Sequence, residues 1–300
     1  MYRSTELTSA EIAAFENMRP RLAGLAYRIL GSLSDAEDAV QDTFLKWAAT
    51  ERAAIANTNG WLVTACTRRC LDMRRTGDRA RVDYVGAWLP EPIQLSSESD
   101  AEKDAELTSN RSMAFLMMLE RLTPKERAAF LLHDIFELSH ADVAETLDTS
   151  EASSRKLVSR ARGNVGRAVV RHSATPDRQM AFLSAFKTAV TEGRIDDLSR
   201  LLAEDARLSA DGGGKVPAIL QSIEGSVPVC AFASSDLRTY WADHDWVLVN
   251  LNGMHGALIK YEGRTTAALS FAFDDDAKIR DIYIVRNPDK LAHLDAVHIH

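Results

Sequence analysis

Between Ser139 and Arg167 the chain reads SHADVAETLDTSEASSRKLVSRARGNVGR, and few local sequences leave a backbone so little choice. Ser139 is placed to cap a short helix, with Asp142 three residues on as its reciprocal partner and Val143, Ala144 and Leu147 as its apolar side. Asp-Thr-Ser then makes a tight turn. Ser150 caps a second helix whose Ser154, Leu157, Ala161 and Val165 recur at i, i+3, i+7 and i+11 and so face inward. Ser153, Lys156 and Arg160 form another stripe, and Arg155, Ser159 and Arg162 lie beside it. From Glu151 to Arg171 there are six basic residues and one acid. Two short helices, a three-residue turn and a basic second helix spell a helix-turn-helix. Small hydroxyl residues near the start of that helix allow close approach to base edges, and its cations can reach guanines or phosphates.

Upstream, LTPKERAAFLLHDIF opens with Thr123 as N-cap, Pro124 at N1 and Glu126 at N3. His133 reads as structural there. SMAFLMMLERL is apolar nearly all round and should be buried. Nearer the N-terminus, SDAEDAVQDTFLKWAAT carries Ala36, Val40, Phe44 and Trp47 on one face and Asp35, Asp38 and Asp42 on another, with Ser34 as the expected cap and Glu37 at N3. The helix that follows, GWLVTACTRRCLDMRR, leads into a segment with six arginines against two aspartates between Arg68 and Arg81. Cys66 and Cys70, four apart on it, read as plain helix-face residues, and with Cys230 make three cysteines, a sparse odd count that fits a reducing compartment.

The character then changes twice. From Val82 to Asn110 seven acids face one lysine, and Trp-Leu-Pro-Glu-Pro (Trp88 to Pro92) cannot be helix interior, so this is an acidic linker. The net charge of −7 averages over this linker and hides the basic modules on either side. Beyond Pro176 an amphipathic helix (DRQMAFLSAFKTAVTEG) and a short one (IDDLSRLLAED) come first, and from Arg207 onward β-rich runs between Gly, Asp and Asn turns predict an α+β domain. No apolar run approaches the roughly 20 residues that span a bilayer, so the chain is expected in the cytoplasm. His293, His298 and His300 read as a frayed C-terminus rather than a metal clip. No metal and no cofactor is expected.

LAYRILGSLSDAEDAVQDTFLKW…NTNGWLVTACTRRCLDMRR followed by LTPKERAAFLLHDIFELSHADVAETLDTSEASSRKLVSRAR resembles the extracytoplasmic-function class of bacterial RNA polymerase sigma factors, over about residues 10 to 170. The resemblance implies a multidomain chain: an all-α region 2 bundle at 1–80, the linker at 81–110, and an all-α region 4 helix-turn-helix at 111–173. It implies that Asp35, Asp38, Gln41, Asp42 and Phe44 dock on the β′ clamp of core RNA polymerase. Asn57, Thr58, Asn59, Trp61, Arg68, Arg69 and Arg75 would handle the −10 element, with NTNG as a polar loop holding unpaired bases. Ser153, Arg155, Lys156, Ser159, Arg160 and Arg162 would read the −35 element of promoter DNA.

The joint presence of Trp88-Leu89-Pro90-Glu91-Pro92, Asp211-Gly212-Gly213-Gly214-Lys215 and Asn287-Pro288-Asp289-Lys290-Leu291 resembles the group of these sigma factors that carries a SnoaL-like C-terminal extension. That extension, here 177–295, would be an α+β cone of the nuclear transport factor 2-like kind, helices against a curved antiparallel sheet. The three motifs would form a regulatory interface between cone and sigma core. The glycine run is no nucleotide loop: the Walker spacing needs a glycine where Ser209 stands and a hydroxyl where Val216 stands. It suits positive φ and close approach of another backbone, or a structural turn at the mouth of the cone. Two other readings remain: a helix-turn-helix regulator whose cone senses a small-molecule ligand, and an isomerase or cyclase using Asp211, His244, Asp245 or His255.

Overall fold

The computed structural model describes residues 7–51, 55–82, 84–95, 112–165 and 174–295, with the side chains of 77–82 and of 295 left out. His298 and His300 fall outside these residues. The described residues form two compact units, one within Met1–Val82 and Met118–Ala168, the other within Asp83–Met117 and Val169–His300.

The first unit is all helical. Helix α1 (Ser9–Leu30) starts at a Thr8/Glu11 capping box and stops at Gly31, whose φ of 75° lets its N–H reach the Tyr27 carbonyl. Helix α2 (Leu33–Ala49) is capped by Ser32, which accepts from the Asp35 N–H at 3.2 Å. The cap is therefore two residues earlier than expected from Ser34, because Gly31 ends α1 so abruptly that the next turn can begin at once. Helix α3 spans Thr58–Val82. NTNG is not a loop: Asn57 accepts from Gly60 N–H at 3.0 Å and the other three residues form the first turn of α3. Phe15, Leu22, Leu25, Ala36, Val40, Trp47, Leu62 and the free thiols Cys66 and Cys70 are buried between these helices.

Helix α4 covers Met113–Leu119 and α5 covers Pro124–Phe130, the latter opened by the Thr123/Glu126 capping box and prolonged by a π turn through Ile135. Helices α6 (His140–Thr146, Ser139/Asp142 capping box) and α7 (Glu151–Val165) make the helix-turn-helix. Ser154, Leu157, Ala161 and Val165 are all buried, as their spacing requires.

The second unit is α+β. Helix α8 (Pro176–Glu192) and the short α9 (Asp196–Leu201) lead into strand β2 (Leu202–Asp211). The strand starts inside the stretch LLAED that reads as helical; Leu202, Ala203, Ala206 and Leu208 are wanted by the sheet. After β3 (Ile223–Glu224), α10 (Ser226–Phe232) and α11 (Arg238–Trp241), the chain runs through β4 (Asp245–Leu251), β5 (Met254–Tyr261), β6 (Arg264–Phe273) and β7 (Ile279–Val285), and ends in α12 (Pro288–Leu291) and a 3-10 turn at Ala292–Asp295. The seven strands lie in the order β1-β4-β5-β6-β7-β2-β3, where β1 is Gln94–Leu95 of the linker. The sheet is mixed, not antiparallel throughout, since β2 runs parallel to β7. Register shifts in the β2/β7, β5/β6 and β6/β7 pairings bend it. One face packs Phe182, Phe186, Trp241, Ile259, Leu269 and Ile284; the other packs Leu251, Leu258, Tyr283, Val285 and Leu291 around Leu89 of the linker.

Candidate functional sites

At the centre of the second unit is the carboxylate of Asp211, the last residue of β2, fully buried. A carboxylate has about four lone-pair sites, and four donors fill them. Tyr84 Oη–H and Gly213 N–H donate to Oδ1 at 2.6 and 3.0 Å, and Leu89 N–H and Lys290 Nζ donate to Oδ2 at 2.9 and 2.7 Å. Lys290 also donates to the Leu89 carbonyl at 2.6 Å and lies over the Trp88 ring, 4.2 Å from its centroid. Asn287 donates to Tyr84 Oη at 3.0 Å. Burial, then the Asp211 carboxylate beside it, pushes the Tyr84 phenol above its usual range.

The glycines are there for space. A Cβ on Gly212 would sit 2.4 Å from the Val216 carbonyl oxygen. Gly213 has φ +63°, and a Cβ there would meet Asn287 Nδ2 at 2.4 Å; Gly214 has φ +69° and faces Val85 of the linker. Lys215 reaches Asp289 at 2.5 Å. The three motifs singled out in the sequence thus meet at one point.

The linker continues along the sheet. His293 Nε2 lies 2.7 Å from the Pro92 carbonyl, and its Nδ1 is 3.1 Å from the buried Glu91 carboxylate. His293 is therefore anchored in the 3-10 turn, contrary to the frayed tail expected of it. Ile93 and Asn252 exchange hydrogen bonds, Ile93 N–H to Asn252 Oδ1 at 3.1 Å and Asn252 N–H to the Ile93 carbonyl at 2.8 Å. Gln94 and Leu95 then pair antiparallel with Leu251 and Asn250. Tyr84 and Asn252 escaped sequence reasoning and His293 was misread by it, because each is defined only by a partner far along the chain.

On the first unit, α7 presents Ser153, Arg155, Lys156, Ser159 and Arg160 with Lys125 and Thr149 around a groove of about 540 Å³. Lys125 and Thr149 were not foreseen, since neither lies on the second helix. Arg155 pairs with Glu151 at 2.5 Å and Arg160 with Glu126 at 3.3 Å. Arg162, which does not line the groove, is held by both oxygens of Asp134, at 2.9 and 2.6 Å. His133, read as structural, accepts that role: its ring stacks on His140 at 4.0 Å and its Nδ1 lies 2.8 Å from the Leu138 carbonyl.

On α2, Asp35, Asp38 and Gln41 are exposed. Asp42 is half-buried and paired with Arg69 at 2.6 Å, and Phe44 packs edge-on against Phe15. Along α3, Asn57 and Asn59 are exposed, Thr58 and Trp61 are half-buried, and the Trp61 ring sits 5.5 Å from that of Trp47. Arg75 pairs with Asp72 at 3.1 Å. Arg68 is engaged by α6: its Nε donates to the Thr146 carbonyl at 2.9 Å and its Nη2 to the Glu145 carbonyl at 2.7 Å. Beside it the hydroxyls of Thr64 and Thr146 are 2.9 Å apart. A buried cluster completes the seam: Glu120 accepts from Arg74 and Arg127 at 2.8 Å each, and both arginines also donate to the Ile29 carbonyl at the end of α1.

A helix-turn-helix with a basic groove, a helical bundle with an acidic ridge and an α+β domain holding the linker define a promoter-recognition subunit of the transcription machinery. The family model for sigma-70 region 2 matches residues 14–80 and that for sigma-70 region 4 matches 112–165. The chain is 33% identical over 290 residues to the ECF RNA polymerase sigma factor SigJ of Mycobacterium tuberculosis, covering 93% of both chains. It is 31% identical to the ferric citrate uptake sigma factor FecI of Escherichia coli over 137 residues, 45% of this chain and 76% of that one. The crystal structure of M. tuberculosis SigJ superposes with a TM-score of 0.73 at 32% identity, covering 94% of this chain and 98% of that one. The chain belongs to the extracytoplasmic-function RNA polymerase sigma factors. It is a sigma factor for promoter-specific transcription initiation, with a SnoaL-like C-terminal domain. Among the described residues no helix is long and apolar enough to cross a membrane.

Proposed function

We propose that this sigma factor is regulated in cis through its linker. The observation that carries the reading is the Asp211 carboxylate, which takes one donor from its own glycine turn, two from the linker (Tyr84 and Leu89) and one from Lys290. By its resemblance to the family, the linker is expected to thread the nucleic-acid channels of the polymerase. A linker clasped along the sheet from Tyr84 to Leu95 is not free to do so, and the C-terminal domain therefore restrains initiation until the clasp opens. The remaining roles follow the family pattern. Asp35, Asp38, Gln41, Asp42 and Phe44 meet the β′ clamp, where exposed acids steer association with a basic surface. Asn57, Thr58, Asn59, Trp61, Arg68, Arg69 and Arg75 serve the −10 element, and the groove on α7 serves the −35 element. These events take place in the cytoplasm.

The test is run-off transcription with core polymerase and the full chain. Tyr84→Phe removes the phenol donor to Asp211 and its contact with Asn287, and is expected to raise the transcript from a −35/−10 promoter at unchanged affinity for core. An unchanged or lowered transcript from a folded Tyr84→Phe protein rejects the restraint.

A further inference from the structure

Three arginines crowd the recognition helix, and each is met by a carboxylate, but the three carboxylates are not alike. Glu151 is about half-exposed and sits one turn away on α7 itself, so its contact with Arg155 is an ordinary surface pair. Asp134 takes Arg162 in a two-pronged grip, Nε at 2.9 Å and Nη2 at 2.6 Å, which uses one whole edge of that guanidinium. Glu126 differs from both. Its side chain is only 8% exposed, and one of its oxygens, Oε2, is already fixed by the capping box, accepting the Thr123 N–H at 3.2 Å and the Thr123 hydroxyl at 2.8 Å. The other oxygen, Oε1, faces Arg160, whose nearest guanidinium atom is Nε at 3.3 Å.

Arg160 is itself 65% exposed and lines the groove with Lys125, Ser153 and Lys156. The Glu126 carboxylate forms an ion pair on the Nε side of the planar group, near its root. The two Nη atoms at its tip are then presented as a fork, the geometry that matches guanine O6 and N7. Lys156, on the same stripe one turn earlier and also lining the groove, is suited to a phosphate as a point charge.

We infer that Glu126 is a positioning residue for base discrimination at the −35 element, acting through Arg160. The helix-capping glutamate of α5 holds the guanidinium in the one orientation that reads a guanine. This rests on the assignment of the α7 groove to the −35 element. The physical reason for such an arrangement is pre-organisation: a long, solvent-exposed arginine samples many rotamers, and fixing its root before binding removes part of the ordering cost from the encounter.

The experiment uses the full chain with core polymerase on a set of promoters that share one −10 element and differ by single base pairs across the −35 element. Arg160→Ala is expected to abolish preference at one base pair. Glu126→Gln keeps a capping-box side chain at N3 but removes the charge. It is expected to lower preference at that same base pair by roughly fivefold and to leave preferences at the other positions intact. In the Arg160→Ala background Glu126→Gln should add nothing. If Arg160→Ala flattens the profile at one position and Glu126→Gln does not, the positioning role is wrong and the groove assignment survives. A uniform loss on every promoter, or an effect that persists without Arg160, makes Glu126 merely structural and overturns the inference. If Arg160→Ala leaves the whole profile intact, the base-reading assignment falls and the positioning role with it.

Discussion

Lys290 Nζ lies 2.7 Å from Asp211 Oδ2, with the carboxylate fully buried and the lysine side chain 10% exposed. Such a pair is tolerated only because every remaining site on the carboxylate is also filled. Lys290→Met keeps the volume beneath the Trp88 ring but leaves a buried anion one donor short. It is expected to destabilise the C-terminal domain by about 3–5 kcal/mol, read as a lowered denaturation midpoint. A midpoint within error of the parent would mean that the lysine contributes no net charge compensation.

The glycine run makes a sharper, paired prediction. Gly213→Ala meets two penalties at once, a φ of +63° and a Cβ placed 2.4 Å from Asn287 Nδ2. It should cost about 1–3 kcal/mol. Gly163 sits inside helix α7, and among the described residues nothing lies within 4 Å of the added Cβ. Gly163→Ala should instead stabilise by about 0.5–1 kcal/mol. Thermal unfolding of the two variants must shift in opposite directions.

Which of these features could be read beforehand follows from distance along the chain. Thr123, Ser139 and the inward face of α7 were legible because a cap and its partner are three residues apart and a helix face repeats within four. The resemblance implied that WLPEP, DGGGK and NPDKL form an interface between the cone and the sigma core, and their convergence on one another was not foreseen. Its reason, one carboxylate at Asp211 shared by all three motifs, involves partners 79 to 127 residues away. No local pattern records such pairing, and the same holds for His293 with Pro92, 201 residues apart. Ser34 misled because three candidate cap residues, Ser32, Ser34 and Asp35, stand close together, and only the stop at Gly31 decides among them. The start of β2 at Leu202 was hidden because Leu-Leu-Ala-Glu-Asp has helical propensity, which sheet pairing overrides.

Acid should act on the first unit through Glu120. Burial alone would raise this carboxyl, but the charges and hydrogen bonds of Arg127 and Arg74 outweigh it and hold it at about 2, against 4.5 when free. A folded-state value below the unfolded one adds stability above pH 4.5 that fades as the pH falls towards 2. The full contribution is roughly 3 kcal/mol. Glu120→Gln should therefore be much less stable than the parent at pH 7, and the gap should narrow between pH 4.5 and 2. A constant gap across that range would assign the effect to packing rather than charge.

The contact between Arg68 and the end of α6 sets a geometric condition on promoter binding. Arg68 gives two hydrogen bonds to the Thr146 and Glu145 carbonyls, and the Thr64 and Thr146 hydroxyls are 2.9 Å apart. Elements centred near −10 and −35 are about 25 base pairs, roughly 85 Å of duplex, from one another at 3.4 Å per step. On the roles proposed above, with region 2 at the −10 element and region 4 at the −35 element, the two cannot read both while α3 rests on α6, and Arg68 cannot serve an unpaired base while it donates to the end of α6. They must separate first. A Thr64→Cys/Thr146→Cys chain should close a disulfide across this seam, since the replaced hydroxyls already touch, while the native cysteines are buried. Oxidised, it should give no promoter-specific transcript with core polymerase; reduced, it should recover. Full transcription by verified oxidised protein would show that the packed arrangement of regions 2 and 4 is the one that reads DNA.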